Sequence, residues 1–407
     1  MARGSGRLNR DSVVPNMLPA TRPGGVTSAG RRAALRLTLI VCLIGCLASC
    51  TPASLAGTRP MLKIGLVAAF EGLERPLGYQ ALQGVKLALA RRNAAGGVAG
   101  YLVELVALND FGRPDDARSQ ARQLAVDPAV VGVITGWSDE TARAALPEYR
   151  HAGLAVVVPW SVSPELADAR AGIVLAAADT RRVAERLSRI MAADQPGRVI
   201  VTGKPAALEP FLAQPGLLAQ GLPPPVSYDS VACKAWALRL VAGRPAPPDA
   251  LVLAMPGALA GQALRALAEA GWRGSAYGDA EAGSGQLVDV AGRLAEGLIF
   301  VSPAPAGQDL SDDARQLADP PARQLAPRGV LAYDATQVLL DAIQAAIQAD
   351  GRPERRGVVE ALPSVQRRGL SGPLAFDQQG RRLEAPLWVY RIAEGAYPGR
   401  LLDASWP

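Results

Sequence analysis

The chain has 407 residues, of which 43 are basic and 37 are acidic, with one histidine and four cysteines. Its first 49 residues hold seven Arg and one Asp, which leaves 36 basic and 36 acidic residues in the remainder. The net charge of +6 therefore belongs to the N-terminal segment, and the remainder lacks the charge excess typical of a nucleic-acid surface. We expect no nucleic-acid partner, and a chain of this length suits two domains.

The first element is an apolar run, Leu37 to Ser49, that follows three arginines. It is shorter than the roughly 20 residues that a membrane-spanning helix needs, and it fits an export signal. The string that closes it, LASC, resembles the lipobox of bacterial lipoproteins, which implies that Cys50 is lipidated and becomes the first mature residue. An ordinary signal peptide or an uncleaved anchor remains open, and all three place the protein outside the cytoplasm.

Strands and helices then alternate along the chain, which favours a parallel sheet covered by helices on both faces. The first unit is predicted to contain strands at 62–69, 102–108, 130–135 and 154–158, with helices at 79–93, from 114, and from a Ser138 cap to about 150. A second unit is predicted to contain a helix from about 180, strands at 198–202, 251–254 and 298–301, and a helix at 261–270. Two helices, at 330–349 and 353–362, and strands at 373–377 and 387–392 follow, whereas the proline-rich segment 205–249 gives no clear pattern.

The residue inventory argues against an enzyme. The single histidine, His151, ends a helical pattern, where a cationic side chain complements the helix dipole. The chain has no nucleophile elbow, no glycine-rich nucleotide loop after a strand and no zinc-protease motif. Once the signal is removed and Cys50 is acylated, only Cys233 remains, so we expect no disulfide, no metal site and no cofactor.

Several stretches carry a family resemblance. RNAAGG, in the loop after the first helix, and AGLAVVVPWSVSPEL, around the fourth strand, are similar to the first lobe of bacterial branched-chain amino-acid-binding proteins. LVLAMPGALAGQALRALAEAGWRG resembles the second lobe of that family, the type I periplasmic binding proteins of ABC importers. The resemblance implies an α/β fold of two Rossmann-like lobes with a hinge and an interlobe ligand cleft.

The implied organisation is a leader and signal peptide at 1–49, a tether at 50–60, lobe 1 at 61–179 plus 303–368, and lobe 2 at 180–302 plus 369–407. Open α/β sheets bind ligands beyond the carboxyl ends of their strands, where helix N-termini offer free N–H groups. The loops at these ends are therefore the candidate ligand site.

The loop after the third strand, GWSDET, carries Trp137, Ser138 and Asp139. Relatives place small and hydroxyl residues here to bind a ligand carboxylate. An ionised Asp139 repels a carboxylate and favours a cation or a hydrogen-bond donor. The alternative is structural: Ser138 caps the helix and Asp139 complements its dipole.

The loop after the fourth strand, PWSVSP, carries Trp160, Ser161 and Val162. The resemblance puts Val162 where relatives have a threonine that grips the amino-acid head group, so the usual clamp is incomplete. Trp160 and Trp137 are predicted either to form an aromatic wall for a flat, apolar or cationic ligand or to pack within the lobe.

The second lobe offers Pro256 in one loop and Asp279 and Glu281 in another, and Leu77 lies near the first strand's loop. The family's acidic ammonium ligand aligns with Ala280, so either flanking carboxylate is a candidate substitute. The alternative is that both carboxylates are solvated charges of the loop.

The expected function is that of a lipid-anchored solute receptor for an ABC importer, with a small polar ligand and the ABC permease subunits as partners. Two alternatives remain open at this stage: a sensing or envelope-assembly lipoprotein of the same fold without a permease, and an envelope hydrolase using Asp139 or Glu281 as a base.

Overall fold

The computed structural model describes residues 59–160, 162–203, 205–213, 219–243 and 246–405. The predicted leader, signal, lipidation site Cys50 and most of the tether lie outside the described residues, as does Ser161. The described chain builds two sheets, each with its own helices and core.

The first sheet is a five-stranded parallel sheet in the order β2-β1-β3-β4-β5. Its strands and their helices alternate along the chain: β1 Met61–Ala68, α1 Arg75–Ala94, β2 Leu102–Asn109, α2 Pro114–Val126, β3 Val130–Ile134, α3 Asp139–His151, β4 Ala155–Val158 and β5 Ile173–Leu175. The central strands β3 and β4 are apolar and buried throughout because helices cover both faces of the sheet.

The second sheet has seven strands in the order β14-β13-β10-β9-β8-β6-β7, parallel from β10 to β7 and antiparallel beyond β10. Its elements are α4 Thr180–Asp194, β6 Val199–Gly203, α5 Pro205–Leu212, β7 Ala219–Leu222, α6 Ser230–Val241, β8 Ala250–Ala254, α7 Gly257–Glu269, β9 Ser275–Gly278, α8 Gly285–Ala291, β10 Ile299–Ser302, β13 Leu387–Ala393 and β14 Ala396–Ser405.

The chain returns to the first sheet between β10 and β13. This part comprises α9 Asp312–Leu317, α10 Pro327–Asp350, α11 Arg355–Ala361 and the hairpin β11 Arg367–Gly369 and β12 Gly372–Leu374. Helix α10 is long and apolar enough to cross a membrane, but most of it is buried against the first sheet, as expected of a core helix.

Three crossings join the two lobes. Ala177 packs in the first core and Ala178 in the second, and the return falls between Val301 and Ala304.

The third crossing follows the hairpin. Leu370 and Leu374 pack in the first core, whereas Ala385 packs in the second. The physical reason is the buried carboxylate of Asp334 in α10, which accepts hydrogen bonds from the backbone N–H groups of Leu370 (2.7 Å) and Ser371 (2.8 Å) and so fastens the hairpin to the first lobe.

Most predicted elements are confirmed within a few residues. The expected strand at 373–377 is wrong for its second half, because only β12, Gly372–Leu374, is strand there. The short strands β5, β7 and β9 and the closing strand β14 were not predicted. Three of these have only three or four residues, too few to show a period.

Candidate functional site

A cavity of about 240 Å³ lies between the carboxyl ends of the parallel strands of the two sheets. First-lobe residues that line it follow β1, β2 and β3 or begin α10; second-lobe residues follow β6, β7, β8 and β9. The lining residues are Ala68, Ala69, Glu74, Leu77, Gly78, Asp110, Gly112, Trp137, Ser138, Asp139, Glu140, Thr141, Ala207, Pro224, Tyr228, Ala254, Met255, Pro256, Leu259, Glu281 and Arg328.

Two glycines let the first-lobe loops approach this space. A Cβ on Gly78 would lie 1.9 Å from the carbonyl oxygen of Ala69, so α1 packs against the end of β1 only because position 78 lacks a side chain. Gly136 has a φ of 84°, which favours glycine, and it turns the chain from β3 toward α3. Both positions bring helix N-termini to the cavity.

Ser138 and Asp139 both line the cavity, and both also have structural partners. Ser138 is the N-cap of α3, where its Oγ accepts from the backbone N–H of Thr141 at 3.3 Å. Asp139 Oδ1 accepts from the backbone N–H of Ser163 at 2.7 Å, and its Oδ2 pairs with Arg143 at 2.5 Å. The carboxylate therefore ties α3 to the loop after β4 as well as facing the cleft.

The two tryptophans do not form opposing walls. Trp137 lines the cavity and donates its indole N–H to the carbonyl of Val67 at 3.0 Å. Trp160 is 2% exposed and lies beneath the guanidinium of Arg328, whose carbon is 4.0 Å from the centre of the Trp160 ring. Trp160 thus supports a charged group and does not itself contact the cavity.

Of the remaining predicted residues, some line the cavity and others are buried in a core. Leu77 and Pro256 line the cavity, whereas Val162 is fully buried in the core of the first sheet. Val162 therefore cannot take the ligand contact that relatives give to threonine. Its neighbour Ser161 is not among the described residues.

The flanking carboxylates of the β9 loop have different positions. Asp279 lies outside the main cavity, and its Oδ1 accepts from the backbone N–H groups of Glu281 and Ala282, both at 3.0 Å. Glu281 lines the cavity. Burial raises the pKa of Asp279 to about 7, and burial together with the Asp279 charge raises the pKa of Glu281 to about 8.

Six polar residues that line the cavity were not among the predicted ligand contacts: Glu74, Asp110, Glu140, Thr141, Tyr228 and Arg328. Arg328 is 6% exposed, and its Nη1 donates to the carbonyl of Trp137 at 3.3 Å. Arginine in the first turn of a helix opposes the helix dipole, so its place in the first turn of α10 was a readable signal. Asp110 directly follows β2, which is the position that open α/β sheets use for ligand contacts.

Burial dominates the electrostatics of these groups. It raises the pKa of Asp110 to about 6 and raises the pKa of Glu74, and the nearby Arg328 partly opposes the rise at Glu74. Burial also raises the pKa of the Tyr228 hydroxyl to about 12. Within the described residues, no group of three or more His, Cys, Asp or Glu side chains is arranged to hold a metal ion.

Two α/β lobes joined by three crossings, with a ligand-sized cavity between their strand ends, define a two-lobe solute-binding protein. Residues 61–208 and 237–396 match the periplasmic binding protein family, and the chain belongs to that family. The predicted membership is confirmed. It implies an extracytoplasmic location, and because the family binds solutes, the expectation that the chain is not an enzyme is also confirmed.

Individual relatives are distant. The chain is 23% identical to the Leu/Ile/Val-binding protein of Escherichia coli over 331 residues, which cover 78% of this chain and 87% of the relative. The leucine-binding protein LivK of Thermotoga maritima has a TM-score of 0.75 at 19% identity, covering 85% of this chain and 99% of its own.

A solute-binding protein of an ABC transporter from R. palustris, solved in complex with benzoate, has a TM-score of 0.70 at 18% identity, covering 85% of this chain and 97% of its own. At these identities the solved structures show that the fold is shared.

Proposed function

We propose that this protein is the substrate receptor of an ABC importer, which binds a small polar or amphipathic solute between its lobes and is tethered to the membrane through lipid on Cys50. The observation that carries the proposal is the cavity, because both lobes line it at the carboxyl ends of their parallel strands. A ligand held from both sides favours the arrangement in which the lobes approach each other.

Lobe closure supplies the link to transport. A permease that recognises only the closed arrangement binds the solute-bound receptor and does not bind the solute-free one. The two lobes are in direct contact, for example where the side-chain amide of Gln286 in α8 donates to the carbonyl of Leu73. Similar proteins whose structures were solved in complex with a ligand hold leucine, isoleucine, benzoate or 4-hydroxybenzoate, which are small carboxylic acids with aliphatic or aromatic bodies.

A thermal-shift panel on the full chain tests the receptor function. Amino acids, amides, amines, purines and aromatic acids are compared, because a solute that binds only the folded state raises the melting temperature. We expect a saturable shift with one chemical class and a decrease in the radius of gyration on binding. A folded protein that responds to no class contradicts the proposal.

The importer role and the lipid tether need separate experiments. Deletion of the gene is expected to abolish uptake of the identified solute, and normal uptake would favour a sensing lipoprotein of the same fold. Cys50→Ala is expected to release the protein from the membrane fraction while leaving solute affinity unchanged. Retention in the membrane would contradict lipidation at Cys50.

A further inference from the structure

Among the described residues that line the cavity, acidic side chains outnumber the single cation, Arg328. Glu74 and Asp110 face the cavity from the first lobe, and Glu281 faces it from the second. Asp110 is 2% exposed, and its Oδ1 accepts from the backbone N–H of Gly112 at 2.9 Å. Glu74 Oε1 is buried and has no hydrogen-bond partner in the described part of the chain. These residues line a space that is large enough for a solute.

Arg328 is the only cationic side chain among the described residues that line the cavity, and its direct contacts are with two tryptophans and not with a carboxylate. Its guanidinium lies over Trp160 and donates to the carbonyl of Trp137. Among the described residues, no carboxylate lies within 4.0 Å of it, although Glu74, Glu281 and Asp279 all act on it at longer range. The single positive charge of Arg328 therefore acts on three acidic groups, Glu74, Glu281 and Asp279. Asp110 is a further acidic residue that lines the cavity.

The rest of the lining is apolar or aromatic. Leu77 and Trp137 of the first lobe face Met255, Leu259 and Tyr228 of the second. Aromatic faces attract cations, and the attraction strengthens where water is excluded. Apolar walls around convergent carboxylates suit a molecule with a hydrocarbon body and a positively charged end.

Resting on the proposed receptor function, we propose that the cleft selects a small organic cation, a protonated amine on an apolar body, over neutral and anionic solutes. The ammonium group of the ligand acts as the cationic partner of the Glu74, Asp110 and Glu281 carboxylates. An anionic solute would have to approach Arg328 through the same carboxylates.

Proton release is expected on binding. The charged and titratable groups that interact with Glu281 come from its own loop, from α10, from the segment before α1, from α3 and from the segment after β7. In that order they are Asp279, Arg328, Glu74, Glu140 and Tyr228. Its pKa of about 8 and the pKa of about 7 for Asp279 mean that the empty cleft holds protons near neutral pH. A cation favours the ionised carboxylates, so its affinity is expected to rise from about pH 6 to about pH 8.5.

Three probes with similar branched bodies separate the charge classes. Isopentylamine is a cation, leucine is a zwitterion and 4-methylpentanoate is an anion, and an alkylamine stays protonated at about pH 8.5, as the lysine side chain does. Calorimetry on the full chain is expected to show isopentylamine binding about tenfold or more tighter than either of the others. Repeating it in two buffers of different ionisation enthalpy measures the released protons.

Charge-removing variants of similar shape identify the groups responsible. Glu281→Gln and Glu74→Gln are each expected to weaken isopentylamine binding about tenfold, and Glu281→Gln is expected to reduce the proton release as well. Glu148→Gln is the matched control, because Glu148 lies on α3 outside the cavity and pairs with Arg122 at 2.8 Å. Its affinity and proton release are expected to match those of the unaltered protein.

The outcomes separate this inference from the receptor function. Leucine or 4-methylpentanoate binding at least as tightly as isopentylamine overturns the cation inference and leaves the receptor function standing. Absence of isopentylamine binding at millimolar concentration overturns the inference, and a saturable response to another class in the thermal panel preserves the receptor function. Isopentylamine binding with no proton release and no effect of Glu281→Gln also overturns it.

Discussion

The two faces of the cleft differ in chemistry. The first-lobe face carries Glu74, Asp110, Asp139 and Arg328, several of them held by backbone hydrogen bonds. The described second-lobe face is mostly apolar, formed by residues such as Met255 and Leu259, and Glu281 is its charged member. The difference indicates that the first lobe orients the polar part of a solute while the second covers its apolar part.

The largest expected effect comes from removing the buried cation of the first-lobe face. Arg328→Met removes the hydrogen bond to the Trp137 carbonyl and the stacking on Trp160, together with a positive charge that acts on nearby carboxyl groups at longer range. We therefore expect a loss of about 3–5 kcal/mol in the free energy of unfolding at about pH 8.5, where these carboxyl groups are ionised. The loss is expected to be smaller at about pH 5, where protons neutralise these carboxyl groups. Urea unfolding at the two pH values measures it.

An equal loss at both pH values would mean that Arg328 acts through its packing on Trp160 and not through its charge. Arg328→Lys is the matched control, because it keeps the charge and loses the planar contact with the ring. We expect it to retain much of the pH dependence while remaining less stable than the unaltered protein.

Glu281→Gln tests the charged member of the second-lobe face. The folded pKa of about 8 lies above the unfolded value of about 4.3, so the folded state binds more protons between these values and its stability falls as pH rises through that window. Glutamine removes the fall, and we expect the variant to be more stable than the unaltered protein by a few kcal/mol near pH 8 and similar to it near pH 4. Urea unfolding across that range measures the difference.

The matched control for this prediction is Glu148→Gln. Its ion pair with Arg122 lowers the pKa of Glu148, which is the opposite direction to Glu281, so this side chain contributes no fall in stability as pH rises. If Glu281→Gln and Glu148→Gln gave parallel stability curves, Glu281 would not be protonated in the folded protein.

Asp139→Ser separates the binding and structural roles of the first-lobe carboxylate. The variant leaves the backbone N–H of Ser163 without its acceptor and removes one of the two carboxylates that pair with Arg143, the other being Glu165. We expect a loss of about 1.5 kcal/mol in the free energy of unfolding. It is also expected to weaken isopentylamine and strengthen leucine. Unchanged affinity for both, with the stability loss present, would assign Asp139 to the structure alone.

The sequence allowed the fold to be predicted better than the site. Long amphipathic helices and apolar strands such as β3 and β4 show their period locally, and the helix N-cap at Ser138 is a local signal too. The third crossing depends on Asp334 bonding a hairpin more than 30 residues away, which no local pattern shows.

The site residues also divide into those that a local sequence pattern indicates and those whose position depends on contacts distant in sequence. Ser138, Asp139 and Pro256 lie within a few residues of strand ends, where a local pattern can indicate them, and all three line the cavity, as does Leu77 in the first turn of α1. Trp160 was expected either as a wall or in packing, and its position under Arg328 could not be foreseen because the two residues are far apart in sequence. Long-range pairs of this kind require the tertiary structure.

The smallest expected effect concerns Ser138, which lies on the first-lobe face but whose Oγ already bonds within α3. Its Oγ accepts from the Thr141 N–H and lies 3.0 Å from the Thr141 Oγ1. Ser138→Ala is expected to lower the free energy of unfolding by about 1 kcal/mol, and Ser138→Asn, another good cap, to restore most of it. Solute affinity is expected to stay constant in both variants. A fall in affinity for Ser138→Ala that Ser138→Asn does not restore would instead make this hydroxyl a ligand contact, and the polar role of the first-lobe face would then extend to its helix cap.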